Sequence, residues 1–292
     1  MLEPSAPDSD GRPRTRASAR PVPTCLADAI GARHRALSTA VTGRPGSGRS
    51  TLASALRQVL SIEVGVSPGP ADALPDLWCH TLSGPPRAGD TRIIDDLPAE
   101  RTVVVLTKAD VYRSGPATHK AGADDAAWPF GAGAASTAAR CARALGRPVL
   151  AVSGLWAVAA PTSAQTGLLA ALAAAGEAVP DLDARFAAPT GVGGDDEGRL
   201  RAELLRVMGG GGVELVLGEL RAGAIGPDAA QVARLLRGAS GIGALRAHIA
   251  ACAGAVADAR TAELGMAADR IAAAGAERAA AEQLLADLGR GR

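Results

Sequence analysis

From residue 36 to residue 153 short apolar runs alternate with stretches of helical spacing, and after about residue 163 the apolar runs stop. No other feature restricts the fold as much. Apolar runs separated by helical patterns make parallel strands with helices on both faces of the sheet. The pattern predicts strands at about 36–42, 77–82, 102–107 and 148–153. It predicts helices at 50–60 and 135–145, a turn-and-helix segment at 88–97 and a short helix around Cys25–Arg35. The fold class expected is α/β followed by an all-helical C-terminal region, with domains at 24–163 and 164–292. Residues 1–23 are rich in Pro, Ser and Arg with almost nothing to bury, so a disordered tail is expected there.

In the helical region, Pro227 after Gly226 is expected to open a helix that ends near Gly238. Ser240 is the expected cap of the next, where Ile242, Leu245, Ile249, Cys252 and Val256 form one apolar stripe. Gly209–Gly212 and the loop 188–195 are the expected breaks. Aromatic residues are only 2% of the chain, so the core has to be built from Leu, Val and Ala.

A net charge of +1 gives no electrostatic case for nucleic acid or an anionic membrane. The longest apolar run, 168–175, is far shorter than the roughly 20 residues of a membrane span. The start of the chain lacks the apolar run of a secretory leader. A cytoplasmic protein with no integral membrane segment is expected. Cys25, Cys79, Cys141 and Cys252 are widely spaced and are read as reduced thiols.

Residues 40–56, AVTGRPGSGRSTLASAL, read as a strand end, a glycine-rich turn and a helix start. Gly43, Gly48 and Ser50 fit the phosphate-loop pattern G-x-x-x-x-G-K-[ST] except at Arg49. Glycines let successive N–H groups turn inward toward phosphate oxygens, and the following helix adds its positive dipole end. The expected phosphate contacts are Gly43, Arg44, Pro45, Gly46, Ser47, Gly48, Arg49, Ser50 and Thr51, with Ser50 as the Mg²⁺ ligand. Arg49 keeps the charge of the usual lysine but is longer, planar and forked, and the two are not interchangeable at close quarters.

The strand Val103–Leu106 runs straight into Thr107-Lys108-Ala109-Asp110. This has the form of the guanine motif [NT]KxD, in which the carboxylate accepts from guanine N–H groups and the lysine stem covers the base. Lys108 is one of only two lysines among 31 basic residues, which makes its place here informative. A third strand ends in Ser153-Gly154-Leu155, similar to the loop whose backbone N–H meets the guanine carbonyl. The four histidines, His34, His80, His119 and His248, are scattered without matched nucleophiles and are expected as surface or core residues.

Over residues 36–156 these motifs resemble a P-loop GTPase domain, and among such proteins the dynamin-like GTPases of actinobacteria. The resemblance implies a P-loop NTPase-type parallel sheet, binding of GTP or GDP with Mg²⁺, GTP hydrolysis, and often dimerisation or membrane work; the helical tail is expected to engage a second copy or a partner GTPase. The sequence also departs from that family. No DxxG lies between Gly43 and Thr107, which are 64 positions apart, and Thr81 stands where its aspartate would be. Asp95 and Asp96 are too close to the next strand to leave room for a switch helix. The segment 77–97 is therefore read as the strand–helix unit immediately before the guanine motif. The expected function is guanine-nucleotide binding with weak or absent GTP hydrolysis. The alternative is a non-catalytic GTPase-fold scaffold acting through its tail beside an active dynamin-like GTPase.

Overall fold

A computed structural model of the chain describes residues 25–66, 75–112, 131–179, 183–187, 194–275 and 277–290. The tail expected at 1–23 lies outside the described residues, as does most of the loop at 188–195. The elements run α1 (Leu26–Arg33), β1 (Ser38–Gly43), α2 (Arg49–Leu60), β2 (Glu63–Val66), β3 (Leu77–Leu82), α3 (Ala88–Asp95), β4 (Thr102–Leu106), α4 (Gly131–Leu145) and β5 (Val149–Ala151). Helices follow: α5 (Gly154–Ala157), α6 (Ser163–Ala174), α7 (Asp183–Ala187), α8 (Gly194–Arg221), α9 (Ala229–Ala239), α10 (Ile242–Ala251), α11 (Ala253–Ala273) and α12 (Arg278–Arg290). This is the expected α/β sheet followed by a helical region.

The sheet order is β2-β1-β3-β4-β5, with every neighbouring pair parallel. Gly43 faces Thr81, Leu82 faces Leu106, and Leu106 faces Ala151, so four strands reach their carboxyl ends together. The order reverses between β1 and β3, and the crevice outside such a reversal is where open α/β sheets bind ligands.

Strand β4 explains the parallel arrangement. Its five residues are all buried, as expected of a strand covered on both faces. Val103 and Val105 pack with Leu52 and Leu56 of α2 and Leu245 and Ile249 of α10. Val104 and Leu106 point the other way, to Ile94, Cys141, Leu169, Leu204 and Met208. The stripe Ile242, Leu245, Ile249, Cys252 and Val256 is buried as its spacing predicts.

Three local differences from the sequence reading have physical causes. β2 is an additional edge strand; Glu63 and Gly65 are exposed, so the segment carries no apolar run. Pro227 precedes the cap of α9 instead of opening the helix, because the Asp228 carboxylate accepts the Gln231 N–H at 2.8 Å. Gly241 (φ +74°) occupies the cap position of α10, while the Ser240 hydroxyl accepts from the Ile242 N–H at 3.2 Å.

The described residues within 36–66 and 76–260 make one compact unit. The other gathers the described residues 25–35, 75, 261–275 and 277–290. Its described core is Ala29, Leu264, Ala267, Ala268, Ile271 and Ala281, and Arg35 pairs with Glu263 at 3.1 Å. No single helix among the described residues is long and apolar enough to cross a membrane. The four cysteines are free; Cys79, Cys141 and Cys252 are buried.

Candidate nucleotide site

β1 ends at Gly43 and α2 begins at Arg49, so residues 44–48 form the turn between them. Three glycines in the turn region have positive φ: Gly43 (+132°), Gly46 (+76°) and Gly48 (+83°). Gly43 is tightly enclosed, since a Cβ there would lie 2.2 Å from Thr81 Oγ1. At Gly48 the nearest atom would be Thr107 Oγ1, 3.1 Å away. The turn is fastened internally: Ser47 donates to the Arg44 carbonyl through its N–H (3.1 Å) and its hydroxyl (2.7 Å). Gly48 caps α2 without a side-chain bond, so the first-turn N–H groups of Arg49, Ser50 and Thr51 have no intrahelical acceptor. Pro45, Gly46 and Ser50 are exposed; Arg49 and Thr51 are half-buried.

Thr107 ties the second motif to this turn. Its hydroxyl lies 2.5 Å from the Ser47 carbonyl and 2.9 Å from that of Leu82, so one proton is shared between two acceptors. Lys108 is exposed and left-handed (φ +54°), an uncommon backbone state for a lysine that is held by the strand end before it and the 3-10 turn Ala109–Val111 after it. Ala109 donates its N–H to the Val152 carbonyl at 3.4 Å. Asp110 is half-buried, and its carboxylate has no hydrogen-bond partner among the described residues.

The third motif closes the group. Ser153 is buried and caps α5, accepting from the Trp156 N–H at 3.3 Å. A Cβ on Gly154 would lie 3.2 Å from Thr51, so this glycine lets α5 press against the start of α2. Leu155 is half-buried. The phosphate-loop, guanine-type and Ser153–Leu155 motifs are thus gathered at the carboxyl ends of β1, β4 and β5.

Two features of the site went unread in the sequence. The first is the glycine run of α8. Gly209 leaves helical geometry (φ +66°, ψ 168°), and the Met208 carbonyl accepts the Trp156 indole N–H at 2.7 Å. A Cβ on Gly209 would stand 3.4 Å from Asp110 Oδ2, and one on Gly211 would strike the Asp110 carbonyl at 2.7 Å. Gly209–Gly212 is therefore a break, as expected, and also a wall beside Asp110. The second is a buried polar chain beneath the turn. Thr42 Oγ1 lies 3.0 Å from His80 Nδ1, His80 Nε2 lies 3.4 Å from Asp90 Oδ1, and Arg44 Nε donates to both Asp90 oxygens. Burial pulls the His80 pKa below its ordinary value, with the Asp90 hydrogen bond opposing that shift. In the neutral ring Nε2–H donates to Asp90 and Nδ1 accepts from Thr42. His80 is the core histidine expected, with both nitrogens occupied.

Thr81 also meets the turn, donating to the Thr42 carbonyl at 2.9 Å and lying 2.6 Å from Ser47 Oγ. Asp95 and Asp96 are exposed at the far end of α3 from Asp90. No group of three or more His, Cys, Asp or Glu among the described residues could hold a metal. A Mg²⁺ here would rely on the Ser50 hydroxyl together with oxygens of a bound phosphate. The enclosed glycines, the helix start without a side-chain cap, and an Asp110 carboxylate with no hydrogen-bond partner among the described residues fit a nucleotide. Compared with known proteins, the chain matches no family model, no curated protein and no solved structure.

Proposed function

We propose that this protein binds GDP or GTP with Mg²⁺ and hydrolyses GTP slowly or not at all. The observation that carries the reading is the Asp110 carboxylate, which has no hydrogen-bond partner among the described residues and sits on a motif fastened to the glycine turn through Thr107. A carboxylate at this place accepts the guanine ring N–H and exocyclic amine; adenine presents no such pair of donors. The N–H groups of the turn and of the first turn of α2 receive the phosphates, the Arg49 guanidinium adds charge, and Ser50 ligands the metal. The Lys108 stem covers the base, and the Ser153–Leu155 loop offers backbone N–H groups to the guanine carbonyl. Phosphoryl transfer depends on positioning and charge stabilisation around the terminal phosphate. Thr81 is neutral where an aspartate would hold the metal's water, and Asp95 and Asp96 lie at the other end of α3, so the described residues have little to supply for turnover.

Titration with fluorescent GTP and ATP analogues, with and without Mg²⁺, tests the proposal. The guanine analogue is expected to bind at least about tenfold more tightly, corresponding to roughly 1–3 kcal/mol for satisfying the Asp110 acceptors. Asp110→Ala is expected to erase the preference while leaving phosphate contacts intact. Equal affinity for both analogues in the unmutated chain would overturn the assignment.

A further inference from the structure

Arg44 follows directly on β1, and its guanidinium is engaged along one edge only. Nε donates to the Asp90 oxygens at 3.2 and 3.1 Å, while Nη1 and Nη2 have no hydrogen-bond partner among the described residues. The two ends of the contact differ in exposure: the Asp90 side chain is 0% exposed, that of Arg44 30%. A buried carboxylate needs a cation, and neutral His80 cannot be that cation. Asp90 is itself fixed from three sides. It accepts the Arg87 N–H at 2.9 Å as the third residue of α3, faces His80 Nε2, and meets Arg44; Thr42 orients the His80 ring from behind.

We propose that Arg44 is a bridging cation whose inner edge neutralises Asp90 and whose outer edge binds the phosphates of the nucleotide. The inference rests on the reading of the same turn as a nucleotide site and assigns Asp90 as the positioning residue. A guanidinium can do both jobs because its donors lie along separate edges of one plane, and its forked edge matches two phosphate oxygens. Holding one edge on Asp90 removes much of the rotamer freedom that a long side chain otherwise loses on binding. A lysine at 44 has a single ammonium, which Asp90 would occupy. The turn thereby gains an ordered phosphate-binding cation in addition to Arg49, which stands where such loops carry lysine.

The test separates the two edges. Binding of GDP and of inorganic pyrophosphate is measured by calorimetry for the unmutated chain, Arg44→Lys and Arg44→Ala, with urea midpoints for each. Arg44→Lys is expected to keep the Asp90 pair and a near-normal urea midpoint, yet weaken both ligands about tenfold. Arg44→Ala is expected to weaken both ligands similarly and also lower the midpoint, because it strands Asp90. A folded Arg44→Lys protein that binds as tightly as the unmutated chain overturns the bridging role. Phenylglyoxal labelling of the unmutated chain, read by peptide mapping, tests the same point without a variant: pyrophosphate is expected to protect Arg44, and labelling of Arg44 unchanged by saturating pyrophosphate overturns the proposal. If pyrophosphate binds and protects Arg44 while GDP is not preferred over ADP, the guanine reading fails and the bridging role stands. If neither ligand binds, both fail.

Discussion

The Thr107 hydroxyl reaches the Ser47 carbonyl at 2.5 Å, joining the guanine-type motif to the glycine turn across 60 residues of chain. Gly48 makes the contact possible, since a Cβ there would press on the Thr107 side chain at 3.1 Å. The two segments that the proposed function assigns to different parts of a nucleotide are thereby held at a fixed separation. Thr107→Val keeps the shape and removes the donor. It is expected to lower stability by about 1–2 kcal/mol, because the Ser47 carbonyl loses its partner in a buried place. Urea denaturation checks the figure, and an unchanged midpoint would mean that the link is not holding the turn.

Gly209 and Gly218 lie in the same helix and make opposite predictions. Gly209→Ala forces a Cβ into a backbone state (φ +66°, ψ 168°) that is essentially restricted to glycine. It should cost about 1–3 kcal/mol of stability and weaken GDP binding, since the added carbon stands beside Asp110. Gly218 has open space around it. Gly218→Ala should therefore stabilise by about 0.5–1 kcal/mol through helix propensity. Thermal unfolding of the two variants decides the matter; the same sign for both would contradict the break at Gly209.

His80 gives a stability dependence on pH whose sign is fixed by burial. Its folded-state pKa lies below the ordinary 6.5, so the unfolded chain takes up the proton first. Stability is expected to be full above pH 6.5 and to fall as the pH drops below it, by at most about 1.4 kcal/mol per pH unit from this residue. The loss continues until the folded-state pKa is reached. His80→Gln should flatten the curve between pH 7.5 and 5.5. A variant curve parallel to that of the unmutated chain would show that His80 is not the group responsible.

Burial also protects the thiols. Cys79 is pushed up to about 12, first by its burial and then by the neighbouring Cys252. The thiolate is the reactive form, so Cys79 should resist a disulfide reagent at pH 8 in the folded chain and react on unfolding. Half-buried Cys25 should react first. Peptide mapping after partial labelling distinguishes them, and early labelling of Cys79 would contradict its burial.

Turnover should be slow. Under single-turnover conditions GTP hydrolysis is expected below about 10⁻³ per second, the range of unassisted GTPases. Arg49→Lys should tighten phosphate binding without raising that rate, and Ser50→Ala should weaken the Mg²⁺-dependent part of binding. Fast turnover by the unmutated chain would assign a catalytic role to groups that the proposal leaves without one.

The sequence by itself determined the parts whose signals are local. Val103–Val105 could only be a buried strand, the spacing of Ile242, Leu245 and Ile249 could only bury one helix face, and the glycines of 43–48 announce a turn at a strand end. The tertiary structure decided what depends on neighbours far along the chain. β2 has no apolar run, and only its pairing with β1 makes it a strand. The side-chain cap of α9 went to Asp228 because its carboxylate reaches the Gln231 N–H. Asp90 looks like any polar residue in a helix; it becomes part of the site because β3 places His80 beside it and β1 delivers Arg44 to its carboxylate. Four glycines in a row mark a break in α8, yet only packing against Asp110 and Trp156 gives the break a place in the site. Periodicity and turn chemistry act over a few residues and are written in the sequence, whereas a buried charge and a helix wall depend on which distant segments the sheet order brings together.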